Sequence, residues 1–352
     1  MLIYHLGFLL AFFIPSLTLL GFALGGAWNF LTLAVVFGVV PILDPLLGKR
    51  LANYSETVNQ NLKDSFYFRF ITWLYVPFQL SLIVWGVVTV GSGTMTPLEL
   101  TGFVLSMGTV TGGLGITIAH ELGHRSGKWE QNLSKTLLMS VSYMHFFIEH
   151  NQGHHSQVAT PNDPASARYG ESLYRFYFRS VISSYKHAWL LEQRRLEKKR
   201  FAFWSLHNRM IRYSLIQLLF AVGMAWLGGL GGLLFFGVQS ILAFSLLEMV
   251  NYVEHYGLCR KETEPGRYEK VTPLHSWNSS EMLTNFLLFN LQRHSDHHAN
   301  ANRRYQSLRY FEESPQLPTG YAGMILLSLC PPLWHRIMDP RAQLARQQIT
   351  AP

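Results

Sequence analysis

Apolar residues in this chain fall in long unbroken runs rather than in one-sided or alternating patterns. Six runs, roughly 3–25, 27–47, 69–91, 97–119, 210–228 and 231–255, are apolar around the whole helical circumference. Each is about the 20 residues that a helix needs to cross a hydrocarbon layer. They pair into hairpins. The first turns over Gly25 and Gly26, the second at Gly91-Ser92-Gly93, and the third across Gly228 to Gly232. The pattern predicts an all-α integral membrane fold: six transmembrane helices with a histidine-rich cap, one domain over 1–352. Residues 1–119 would hold helices one to four, and 209–255 helices five and six. The polar segments 120–208 and 256–352 would build the cap. Residues 320–334 are apolar but short and broken by proline, so they predict a docked or interfacial segment rather than a seventh span.

Charge orients this bundle. Only 14% of the residues are charged, against about 25% in soluble domains. The formal charge is 29 − 21 = +8, and its placement follows the topology rather than a nucleic-acid surface. The three hairpin turns hold no Lys or Arg. Lys49, Arg50, Lys63, Arg69, Arg125, Lys128 and the run Arg194, Arg195, Lys198, Lys199, Arg200 lie at the opposite end. By the positive-inside rule that end is cytoplasmic, which predicts a multi-pass inner-membrane protein with both termini and the cap on the cytoplasmic side. Tyr169, Tyr174, Phe176, Tyr177 and Phe178, interleaved with Arg168, Arg175 and Arg179, suit an aromatic belt at the headgroups. Asp44 and Glu248 fall inside apolar runs and need partners there. No cleavable leader is expected, because the first apolar run lacks a basic start and is too long. Cys259 and Cys330 form no CxxC pair, and no GxGxxG fingerprint occurs, so electrons for any redox chemistry have to come from another protein.

Histidine carries the chemistry. Nine of the fifteen fall in four groups: His120 and His124; His150, His154 and His155; His255; and His294, His297 and His298. Spacings of three and four place imidazoles on one helical face, within reach of a shared metal. The runs ending at His120 and His255 both point the same way, so these groups emerge at one membrane face. A lone HxxxH is more often incidental, but four groups converging would each need polar partners if no metal held them. His5, His145, His187, His207, His275 and His335 read as structural. A membrane metal transporter would place ligands near the bilayer midplane, whereas here the spans are nearly free of histidine.

Several stretches strengthen the reading: His120-Glu-Leu-Gly-His124, Phe146-Phe-Ile-Glu-His-Asn-Gln-Gly-His-His155, Asn251-Tyr-Val-Glu-His-Tyr-Gly-Leu258 and Leu291-Gln-Arg-His-Ser-Asp-His-His-Ala299. Over nearly its whole length the chain resembles the membrane alkane monooxygenase family, and more distantly the xylene monooxygenases and fatty-acid desaturases. The resemblance implies two iron ions held by the nine histidines, O2 as co-substrate, and terminal hydroxylation of medium- or long-chain n-alkanes to primary alcohols. It also implies electrons from rubredoxin, an acidic carrier served by rubredoxin reductase. A related desaturase or aromatic-methyl hydroxylase is the neighbouring alternative. Glu121, Glu149, Asp163, Glu254 and Asp296 are candidates to orient the ligand imidazoles, and any one of them is an alternative ligand. Arg194, Arg195, Lys198, Lys199, Arg200, Arg303, Arg304 and Arg309 are candidates for the carrier's landing surface. An alkane offers only apolar surface for binding, so a hydrocarbon tunnel is expected, with Val36, Phe37 or Gly38 lining it. Gly108, Gly112, Gly113 and Gly115 in the fourth run leave either such space or close helix packing.

Overall fold

The computed structural model describes residues 2–350. Four helices are long and apolar enough to cross a membrane: Gly26–Leu47, Phe66–Gly91, Pro97–Gly123 and Arg209–His255. A shorter apolar helix, Phe8–Leu24, precedes them. The 47-residue helix is two arms, because Gly229 adopts φ 60° and ψ −157° and reverses the chain. That left-handed geometry is open to glycine and strained for other residues, and it falls in the predicted turn. Gly25, at φ 72°, does the same after Leu24.

Local chemistry starts and ties these elements. Thr96 caps the 97–123 helix in a capping box with Glu99, and Pro97 occupies its first turn. The Glu99 carboxylate also accepts the backbone N–H of Gly26 at 2.8 Å, which joins the first two hairpin turns. Asp44 and Glu248, the two acids inside apolar runs, find partners other than arginine. Asp44 accepts from the Thr284 backbone N–H at 2.9 Å and from its hydroxyl. Glu248 accepts from Tyr143 at 2.8 Å and Ser180 at 2.6 Å.

The remaining segments cover one end of the bundle. Helix Leu173–Lys198 crosses the arms of 209–255. Helix Tyr321–Ser328 buries Tyr321, Ala322, Met324 and Ile325, so the apolar 320–334 segment is docked. Glu262–Glu264 pairs antiparallel with Arg267–Tyr268, the one sheet among the described residues. One apolar core runs between the long helices around Phe68, Tyr75, Ile83, Phe103 and Met107. A second, around Tyr252, Tyr256, Trp277, Trp334 and Met338, fixes the C-terminal helix Pro331–Thr350 over His255.

Two local features depart from what the apolar and aromatic pattern alone predicts. The apolar stretch 281–293 is helical only over Met282–Leu287. Phe289 and Asn290 then take left-handed φ of 50° and 54°. Asn290 is held there by Nδ2 donating to the Tyr305 carbonyl at 2.8 Å, and the turn redirects the chain into His294–Ala299. Phe176 is fully buried and so cannot belong to an exposed aromatic belt.

Candidate metal centre

The nine histidines meet in two adjoining sets. His120, His124, His150, His155 and His297 form one, and His154, His255, His294 and His298 the other; within each set the donor atoms lie within 4.8 Å of one another. They come from the end of helix 97–123, the segment 149–155, the end of the 209–255 helix, and the short helix 294–299. The sets touch where the His155 and His298 rings stack at 4.4 Å.

Helix register explains the division. His294 and His298, four apart, share a set, as do His120 and His124. Neighbours His154 and His155 point about 100° apart and go to different sets, as do His297 and His298. His150 departs from the spacing rule: it joins His155, five residues on, and not His154. Residues Glu149–His154 form a π-helical turn, whose i→i+5 bonding brings positions five apart into line.

The donor atoms are packed as a cation would pack them. Nε2 atoms run His124–His150 at 3.0 Å, His150–His155 at 3.1 Å and His155–His297 at 3.1 Å. In the other set His154–His298 is 3.2 Å, His298–His294 2.9 Å and His294–His255 3.2 Å. Hydrogen bonds account for at most two of the three contacts in each chain, because one imidazole nitrogen either donates or accepts. The Nε2 of His120 is buried with no partner at all. Metal–nitrogen bonds of about 2.1 Å set neighbouring donors at right angles about 3 Å apart, which is the spacing found. Burial pushes His124, His150, His155, His294, His297 and His298 well below their ordinary pKa, so these six are neutral imidazoles, the ligating form. The residues present fit two histidine-bound cations.

An apolar cavity ends on this site. It reaches His120, His150 and His294. Its walls include Ile14, Val36, Phe37, Val40, Gly112, Gly113, Leu246, Leu247 and Ile325. The glycines divide. A Cβ at Gly108, Gly112 or Gly115 would run into Leu242, the Ala243 backbone or Gln79, so these three allow close packing, whereas Gly113 meets nothing within 4 Å. Val36 and Phe37 face the cavity, while Gly38 is absent from its lining.

Comparison with known proteins agrees with this architecture. A fatty acid desaturase family model matches residues 95–328. The alkane 1-monooxygenase 2 of Pseudomonas aeruginosa is 46% identical over 319 residues, 90% of this chain and 85% of the relative. The alkane 1-monooxygenase of Ectopseudomonas oleovorans is 41% identical, covering 90% and 79%. The hydroxylase component of the Pseudomonas putida xylene/toluene monooxygenase is more distant, at 29% over 334 residues. This chain belongs to the alkane 1-monooxygenase family. Its four long apolar helices and these relatives make it a membrane protein.

Within this alkane monooxygenase fold the five flanking carboxylates take different places. Asp163 accepts from Nδ1 of His154 at 2.9 Å and from Ser166 at 2.6 Å. Burial alone would lower the His154 pKa, but the Asp163 charge and hydrogen bond raise it. Glu254 lies 3.1 Å from Nε2 of His294, on the donor side of that ring, and accepts from the Tyr321 hydroxyl at 2.7 Å. The others turn away from the grouped imidazoles. Glu121 faces Arg125 at 3.6 Å, Glu149 meets His187 at 3.2 Å, and Asp296 pairs with Arg309 at 2.9 Å. On a helical turn a residue next to a ligand points about 100° off its face, so proximity in sequence misleads for Glu121 and Asp296.

Four arginines expected to receive a partner are held internally. Arg304 pairs with Glu130 at 3.0 Å, and Arg303 and Arg309 both face Asp296. Arg195 is held by Glu192. Of the histidines outside the two sets, His275 contacts Glu269 and Thr272, His207 stacks on Phe201, His335 meets Tyr256 and Asp339, and the Nε2 of His145 is buried without a hydrogen-bond partner. Tyr321 and Ile14 escaped sequence reasoning, because neither lies near a histidine motif.

Proposed function

We propose that this protein is an alkane 1-monooxygenase that hydroxylates the terminal methyl of medium- or long-chain n-alkanes, in the balance R–CH3 + O2 + 2 e⁻ + 2 H⁺ → R–CH2OH + H2O. The observation that carries this reading is the apolar cavity that ends on His120, His150 and His294, three of the nine grouped histidines. An alkane is held there by burial alone, worth about 0.8 kcal/mol per methylene, so a long dry channel is the binding device. The channel walls orient the chain so that its methyl end meets the histidines, and they exclude water. Two iron ions are the metals this reading assigns, and when bound they would supply activation of O2. His120, His124, His150, His155 and His297 would hold one, and His154, His255, His294 and His298 the other. Asp163 holds the Nδ1 proton of His154 and so fixes which nitrogen faces the metal.

The same reading places six spans in the inner membrane, with the 209–255 helix counted as two and 2–24 as the first. The 120–208 and 256–352 segments then form a cytoplasmic cap. Electrons arrive there from rubredoxin, itself reduced by rubredoxin reductase, because the chain carries no redox motif of its own. Metal and product analysis on the purified protein tests the proposal together. About two irons per chain and 1-octanol or 1-hexadecanol from the alkanes, dependent on rubredoxin, are expected. Conversion of xylene or an acyl lipid in preference to alkanes would reassign the reaction.

A further inference from the structure

Helix Leu173–Lys198 presents three faces, where a helix packed on a globular core presents two. One is buried against the protein through Phe176, Ser180, Ser184 and Ala188. A second carries Tyr174, Phe178, Ile182 and Tyr185, which are 54%, 67%, 52% and 44% exposed. At 100° per residue these four fall within an arc of about 80°. The third face adjoins that stripe and carries exposed Arg175 and Lys186.

Its tethers fix how the helix lies. The Tyr177 and Ser245 hydroxyls are 2.8 Å apart, and Ser180 donates to Glu248 at 2.6 Å. Toward the other end, the backbone and side chain of Arg209 donate to Glu192 at 2.6 and 2.7 Å. Counted from the break at Gly229, Ser245, Glu248 and Arg209 stand roughly 24, 28 and 30 Å up their two arms. Tyr177 and Glu192 are separated by roughly 22 Å of helix, yet their anchors differ by only about 6 Å in height. The helix therefore lies across the arms. Its level, roughly 24–30 Å from the far turn, is close to the thickness of a bilayer's hydrocarbon core.

We propose that this helix lies in the membrane plane, with the Tyr174–Phe178–Ile182–Tyr185 stripe seated in the acyl–headgroup boundary and Arg175 and Lys186 on anionic phospholipid headgroups. This rests on the six-span reading above. The lipid is the occupant because the stripe sits at the height where the hydrocarbon ends, and because cations flank it on its outer side. The loop that follows continues the pattern: Trp204 and Leu206 are 81% and 68% exposed, just after Lys198, Lys199 and Arg200. Because His187 on the same helix meets Glu149 at 3.2 Å, beside His150, the lipid surface sets the depth of the histidines relative to the hydrocarbon.

Site-directed spin labelling tests this. Single cysteines replace Phe178, Ile182, Lys186 and, as a control on a span, Leu219, in a chain with Cys259 and Cys330 changed to Ser. Each is reconstituted in bilayers of phosphatidylcholine and phosphatidylglycerol, and an unchanged metal content shows that the variant is folded. Labels at 178 and 182 are expected to collide with O2 and to be shielded from a water-soluble nickel chelate, as at 219, while the label at 186 shows the reverse. Nickel access at 178 and 182 equal to that at 186, with 219 still in lipid, overturns the in-plane helix alone. Strong label–label dipolar broadening at 178 overturns it in favour of a second copy covering the stripe. Water access at 219 as well would instead bring down the membrane reading beneath it.

Discussion

Gly113 is the position where a single substitution should change which alkanes are accepted. It lies seven residues before His120, roughly 10 Å down the helix axis, and a Cβ there meets nothing within 4 Å. A chain whose methyl end reaches the histidines passes this point. Gly113→Phe would put a ring into the channel from a Cβ that itself meets no neighbour, and replacing a helical glycine carries no intrinsic penalty. Octane would keep its contacts between the ring and the metals. Hexadecane would lose those beyond it. Each methylene denied burial forfeits about 0.8 kcal/mol, or about fourfold in kcat/KM, so three denied methylenes give roughly sixtyfold.

The assay is competition between octane and hexadecane, read as alcohols by gas chromatography, with metal content measured alongside. Val36→Trp, at another residue of the cavity wall, should act in the same direction. Gly112→Ala provides the contrast: its Cβ would come within 2.6 Å of the Ala243 backbone, so lower protein yield is expected without a change in chain-length preference. Full metal content and an unchanged octane-to-hexadecane ratio in Gly113→Phe would refute the channel.

The division of the histidines predicts that His297→Ala and His255→Ala each lose about one of two metals, from different sets; loss of neither, with activity intact, would sink the ligand assignment. Asp163→Asn should weaken metal binding by roughly 10–100-fold while leaving the fold intact, measured by chelator competition. A C-terminal reporter active only when exported should stay silent, since both termini are expected in the cytoplasm. Lys63 lies in a polar cleft with Arg303 and Arg304, and Lys63→Glu should raise the apparent KM for rubredoxin several-fold and reduce its salt dependence; insensitivity to both the reversal and ionic strength would move the docking surface elsewhere.

The convergence of the histidines was legible in the sequence because a rare residue recurs at short spacings, and those spacings survive any detail of packing. The hairpin turns were legible for a similar reason, as Gly25 and Gly229 stand where the backbone must reverse. What spacing could not give was the partition. The pair His150 and His154, four apart, reads as one face of an α-helix, yet a π-helical turn sends them to different sets. The carboxylates were harder still. Asp163 reaches His154 from a loop nine residues on, whereas Glu121 and Asp296, immediate neighbours of ligands, point elsewhere. The arginines at 303, 304 and 309 looked like free cations until Glu130 and Asp296, distant or off-face in sequence, were seen to hold them.

The irregular turns are concentrated where the cavity is. Ala34–Val39, Thr111–Ile116 and Glu149–His154 are the three π-helical segments among the described residues, and each contributes to the cavity wall: Val36 and Phe37 from the first, Gly112 to Leu114 from the second, His150 from the third. A π turn inserts an extra residue into the α ladder, which widens the helix and re-aims every side chain beyond it. In Thr111–Ile116 that shift lets Gly112 pack against Ala243 while its neighbour Gly113 opens onto the cavity. In Glu149–His154 it brings His150 into line with His155. An uninterrupted α-helix at these places would pair His150 with His154 and turn Gly113 toward another neighbour. The departures from regular helix are thus the local means by which one bundle makes both an apolar cavity and two sets of histidines at its end.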